Sequence, residues 1–114
     1  MTTGICEKPK WKDAQEFRIA VYEWCDRIQV KVKQIQLRPM KQKWASISTT
    51  GRLTLNTELL ELPKELGEFV IVHELVHLLV PNHGKLFKCC ISAYVPNWEE
   101  LEKQLPKKSI KYGN

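Results

Sequence analysis

Four cysteines are present, but no two are spaced C-x-x-C: Cys6 and Cys25 stand alone, and Cys89 and Cys90 are adjacent. That excludes the usual cysteine framework of a structural zinc site. Cys25 and one of the adjacent pair are expected in the core as small hydrophobes, and Cys6 as an exposed thiol. No apolar run approaches the roughly 20 residues that a membrane-spanning helix needs. Met1 to Lys12 contain no apolar segment of the signal-peptide kind, so the expected home is the cytoplasm and the expected cysteine state reduced. No methionine follows Met40, and no repeat or low-complexity tract occurs. Histidine occurs only three times, and all three fall between positions 73 and 83.

What is present fits a single α+β domain spanning 1–114, since 114 residues suffice for one core but not two. Lysines at 8, 10, 12, 31, 33, 41, 43, 107, 108 and 111 carry much of the net charge of +5. Such a surface attracts nucleic acid or acidic partners weakly. The charges are spread along the chain, and no nucleic-acid motif of known spacing accompanies them, which favours a solvated lysine-rich surface.

The histidines lie in Glu68-Phe69-Val70-Ile71-Val72-His73-Glu74-Leu75-Val76-His77-Leu78-Leu79-Val80-Pro81-Asn82-His83-Gly84. His73-Glu74-Leu75-Val76-His77 is an H-E-x-x-H pattern. On a helix, residues i and i+4 share a face, so His73 and His77 can address one metal ion while Glu74 projects beside it. Pro81 ends the helix near Leu79 or Val80, and a turn at Pro81-Asn82 can bring His83 back to the pair. Three protein ligands and a water form the open, catalytic arrangement of zinc. Histidines on an apolar helix also serve as satisfied core residues. This helix is apolar on nearly every side, however, and two imidazoles and a carboxylate inside it are costly unless something pairs with all three. One Zn²⁺ per chain does so. Should His83 not be a ligand, Glu99 or Glu100 is next in line.

Residues 1–12 read as an arm. Asp13 and Glu16 form a capping-box start, and Phe17, Ala20, Val21, Trp24, Cys25 and Ile28 predict an amphipathic helix over 14–29. Alternation at 34–38, 43–48 and 52–56, with a turn at Thr49-Thr50-Gly51, predicts three strands as an antiparallel meander. A helical turn over 57–62 precedes the histidine helix at 63–80, with Pro63 in its first turn. Helices follow at 84–94 and from Asn97 to about Leu105, and 106–114 reads as a lysine-rich tail.

Trp44-Ala45-Ser46, Gly51-Arg52-Leu53-Thr54-Leu55-Asn56, the H-E-x-x-H segment, and Asn82-His83-Gly84 with Phe87 together resemble the YgjP-like metallopeptidase domain family, related to the SprT-like and minimal zincin peptidases. The resemblance runs from about Trp44 to Leu105 and extends to the N-terminal helix. It implies a small zincin-like fold with an N-terminal helix, a three-stranded mainly antiparallel sheet, a central H-E-x-x-H helix and C-terminal helices. It implies zinc ligands His73, His77 and His83, with Glu74 as general base. It also implies a cleft bordered by the Trp44 strand. One departure is Ala45, where the family has glycine. The His77-to-His83 spacing equals that of metzincins, but Val80 replaces their glycine and their methionine turn is missing.

The expected function is zinc-dependent hydrolysis of peptide bonds in a peptide or protein substrate, with an extended substrate along the edge strand 44–48 and Trp44, Ala45 and Ser46 as its contacts. Tyr94 and Arg52 are candidates for a second oxyanion donor by chemistry alone. The alternative is a zinc-containing, non-catalytic or latent module that docks to DNA or a protein partner.

Overall fold

The structure, a computed structural model, describes residues 9–106. In order along the chain are α1 (Ala14–Ile28), β1 (Gln34–Arg38), β2 (Ala45–Ile47), β3 (Arg52–Asn56), a 3-10 turn (Thr57–Glu61), α2 (Lys64–Val76), α3 (Lys85–Tyr94) and α4 (Trp98–Gln104). The expected tail from residue 107 onward and Cys6 lie outside the described residues.

α1 begins as its sequence dictates. Asp13 Oδ1 accepts from the Glu16 amide at 2.9 Å, while Glu16 Oε1 reaches back to the Lys12 amide at 2.7 Å. The helix buries Phe17, Ala20, Val21, Trp24, Cys25 and Ile28, the stripe set by its 3.6-residue period. It ends at Gln29, which takes φ 66°.

The sheet departs from the expected meander. Its order is β1-β3-β2, with β2 antiparallel to β3 but β1 parallel to it. It is therefore mixed rather than mainly antiparallel. The cause is the connection between β1 and β2, which crosses the end of β3 instead of folding back beside β1. Asn56, fully buried at the end of β3, holds that crossing in place. Its Nδ2 donates to the carbonyls of Met40 at 2.8 Å and Lys43 at 2.9 Å. Its Oδ1 accepts from the Glu58 amide at 2.9 Å and so also caps the 3-10 turn. Both donor hydrogens of a buried amide are thus engaged, as its burial demands. The β2–β3 hairpin closes at Gly51, whose φ of 97° suits glycine alone.

α2 is the central element, burying Leu66, Phe69, Val70, Ile71, Val72, Leu75 and Val76. α1, α3, α4, β2 and the 3-10 turn all pack against it. Of the expected arm, residues 9–12 are fixed to this helix. The Pro9 carbonyl accepts from the Lys64 amide at 2.8 Å, and Trp11 is buried beside Phe17, ring centroids 4.8 Å apart. Gly67 makes room for that indole: a Cβ there would lie 2.6 Å from Trp11 Nε1. Among the described residues no helix is long and apolar enough to cross a membrane.

Candidate metal centre

Pro81 stops the histidine helix as expected, but the regular α-turns end earlier, at Val76. The amides of His77, Leu78 and Leu79 then bond to the carbonyls three residues back, at 3.1, 3.0 and 2.9 Å. This is the tightened 3-10 form that commonly closes a helix. His73 sits in the last α-turn and His77 at the cap, so the i, i+4 relation survives the tightening.

The chain then returns. His83 comes back against the pair, with ring centroids 5.3 Å from His73 and 4.4 Å from His77. One nitrogen from each of the three rings lies within 4.8 Å of the others. Zn–N bonds of about 2.0–2.1 Å in tetrahedral geometry place ligand nitrogens roughly 3.4 Å apart, so small ring movements bring this set onto one ion. Phe87 of α3 backs the cluster. Buried itself, it lies 5.2, 4.7 and 4.6 Å from the rings of His73, His77 and His83.

The electrostatics favour neutral imidazoles at His77 and His83. Burial holds His83 down to about 4, with the neighbouring His77 and His73 adding to the effect and Glu74 opposing it. Burial also lowers His77, again reinforced by His73. The neutral ring is the form that ligates a metal. The Nε2 atoms of His73 and His83 are buried in the cluster. Glu74 is half-buried beside the cluster, its Oε2 3.2 Å from His73 Nδ1. Three imidazoles around one point, with a carboxylate adjacent to them, match the donor set of an open catalytic metal site.

The other predicted residues separate into two groups. Ala45 and Ser46 lie on β2, half-buried, and β2 packs against α2. Trp44 is buried, with Nε1 donating to the Pro106 carbonyl at 3.1 Å. Tyr94 stands edge-on to Trp24, centroids 6.3 Å apart, beside a cavity it shares with Glu65, Glu68 and Phe69. Arg52 is exposed at the start of β3, and Glu99 and Glu100 are exposed on α4. The α4 carboxylate that feels His73 is Glu102, half-buried and raised above its ordinary value, chiefly by burial. Its only sequence signal is one helical turn's separation from Trp98 and Glu99. Of the residues that line the concavity at His77, Ile47 and Ser48 belong to the strand expected to take the substrate, while Thr49, Leu78 and Pro81 were not foreseen. The strand alternation was visible, but not that the turn after it meets the histidine helix.

A model of the YgjP-like metallopeptidase domain matches residues 10–108. The chain belongs to this family. The YgjP-like domain is also similar to two solved structures. One is the metallopeptidase zymogen jannalysin of Methanocaldococcus jannaschii, 32% identical, covering 77% of this chain and 91% of the other with a TM-score of 0.70. The other is the metallopeptidase zymogen abylysin of Pyrococcus abyssi, 23% identical, covering 77% and 90% with a TM-score of 0.70. The abylysin likeness speaks for the fold. No curated protein matches significantly. This YgjP-like domain is thus a metallopeptidase of the hydrolase class by family, on a minimal zincin-like α+β fold with a mixed sheet.

Proposed function

We propose that this YgjP-like domain is a zinc-dependent endopeptidase in which His73, His77 and His83 hold one Zn²⁺ and Glu74 is the general base. The observation that carries the reading is the convergence of three ring nitrogens within 4.8 Å beside the Glu74 carboxylate. Held by the three imidazoles, Zn²⁺ would supply Lewis acidity to the attacking water and the scissile carbonyl. Glu74 accepts the proton of the attacking water at a carboxylate oxygen and passes it to the leaving amine. To do so it exchanges its contact with His73 Nδ1 for the water. Phe87 and the tightened end of α2 hold the imidazoles in place, so the base and the three nitrogens keep their mutual geometry.

The substrate lies extended along β2, an outer strand of the sheet, adding its backbone to that edge. Ala45 and Ser46 supply the edge, and Trp44 supports it from the core. The Tyr94 ring, engaged with Trp24, has a structural role. The solved jannalysin relative is a zymogen, which supports a latent state for this chain too. The alternative of a docking module for DNA or a partner rests on the lysine-rich charge alone.

Elemental analysis of protein purified without chelator tests the reading. About one zinc per wild-type chain, largely lost in His83→Ala and kept in Glu74→Gln, together with peptide cleavage absent from Glu74→Gln, supports it. Zinc content indifferent to His83→Ala overturns the ligand set.

A further inference from the structure

The concavity beside His77 is built from the end of β2, the hairpin turn and the tightened end of the metal helix. Its lining is Ile47, Ser48, Thr49, His77, Leu78 and Pro81, and its volume is about 230 Å³. Pockets that take whole drug-sized ligands span roughly 300–1,000 Å³, so this one has room for a single side chain. His77 forms part of its wall. A substrate with its scissile carbonyl at the histidine cluster therefore carries a flanking side chain to its mouth.

The wall is half apolar and half polar, with Ser48, Thr49 and His77 beside three apolar side chains. Ile47, Leu78 and Pro81 are apolar, and none of the lining side chains is an acid, a lysine or an arginine. Ser48 is engaged elsewhere: its Oγ lies 2.8 Å from Thr50 Oγ1 and accepts from the Arg52 amide at 3.1 Å. A charged side chain entering here loses water and gains no ionic partner, which is costly. An aliphatic side chain gains the burial of its apolar surface.

We infer that this cavity is the specificity pocket of the enzyme and selects an uncharged aliphatic side chain, of leucine or isoleucine size, at one of the two residues flanking the scissile bond, with Ile47 setting the selection. The inference rests on the metal-site reading above. Apolar pockets discriminate by factors of roughly 10 to 200.

The test uses the zinc-loaded full chain and hydroxamates, which bind through the metal whether or not the protein turns over peptides. Two series carry Leu, Phe, Lys or Glu side chains, one on the acyl side and one on the amine side of the chelating group, with acetohydroxamate as the bare control. Calorimetry should give, in one series, a Kd for the Leu probe at least ~10-fold below those for Lys and Glu. Ile47→Glu should abolish or reverse the Leu-over-Lys order. Ile47→Ala, which only enlarges the pocket, should move preference from Leu toward Phe. Acetohydroxamate binding with no side-chain discrimination, or a Leu preference that neither variant changes, overturns the pocket alone. Failure of every probe, acetohydroxamate included, overturns the metal-site reading and the pocket with it.

Discussion

Glu74 Oε2 and His73 Nδ1 stand 3.2 Å apart, so the proposed base is parked on a neighbouring imidazole rather than pointed into solvent. Glutamine at position 74 keeps the shape and a hydrogen-bonding oxygen but not the proton affinity. Glu74→Gln should retain one zinc per chain and an unchanged thermal midpoint. Its peptide cleavage should fall by about 10²–10⁴-fold, read from initial rates on a quenched-fluorescence peptide.

Phe87 touches all three imidazoles and is itself buried, so it bears on both fold and site. Phe87→Ala should cost about 3–5 kcal/mol of stability in urea. Phe87→Leu, which keeps much of the volume, should cost far less, yet it removes the flat surface that orients the rings. Zinc affinity of the leucine variant, from competition with a chromogenic chelator, should drop by roughly 10-fold.

Asn56 ties the crossing connection to the end of β3 through two donated bonds and one accepted bond. Asn56→Ala should destabilise by about 2 kcal/mol or more, because the carbonyls of Met40 and Lys43 lose their donor. Asn56→Asp keeps the acceptor for the Glu58 amide but turns a carboxylate toward those two carbonyls. It should be no better than alanine at pH 7 by urea denaturation.

Glu68 on α2 has its carboxyl raised, first by burial, with Lys64 and Arg27 opposing and Glu23 and Glu65 reinforcing. The unfolded chain therefore gives up this proton at lower pH than the native one. The native state binds more protons in the window above the ordinary value of 4.5, so stability from this group falls as pH rises through the native pKa. Glu68→Gln should raise the urea midpoint at pH 7, and the gain should vanish below about pH 4.

Gly67 sets two effects against each other. Alanine gains about 1 kcal/mol of helix propensity. Its Cβ, however, meets Trp11 Nε1 at 2.6 Å and two further indole carbons at 3.2 Å, all in a buried ring. Overpacking of this kind costs about 1–3 kcal/mol, so Gly67→Ala should destabilise. In a Trp11→Leu background the same change should become stabilising, which a double-mutant cycle in urea will show.

These residues also mark how far the sequence could be read. The α1 stripe, the histidine pair on one helical face and the glycine turn at Gly51 are local patterns, and each appears where expected. The direction of β1 is not local: alternating strands look alike whether paired parallel or antiparallel, and Asn56 settles the matter through contacts 13 and 16 residues away. Trp11 looked like part of an arm because its partners, Phe17 and Gly67, become neighbours only once α1 packs on α2. Glu102 and Thr49 escaped notice for the same reason, since each acquires its meaning from a helix distant in the chain. The histidine cluster was legible because all its members sit in one short segment closed by a proline.

That compactness has a thermodynamic side. His73 and His83 are ten positions apart, so the three side chains remain neighbours when the tertiary structure is lost. With the proposed ligand set, a denatured chain would keep a share of its grip on the ion, and binding to the unfolded state subtracts from ligand-induced stabilisation. Saturating zinc will therefore raise the melting temperature by less than the native Kd alone implies, and heat-denatured protein will leave solution with metal still attached.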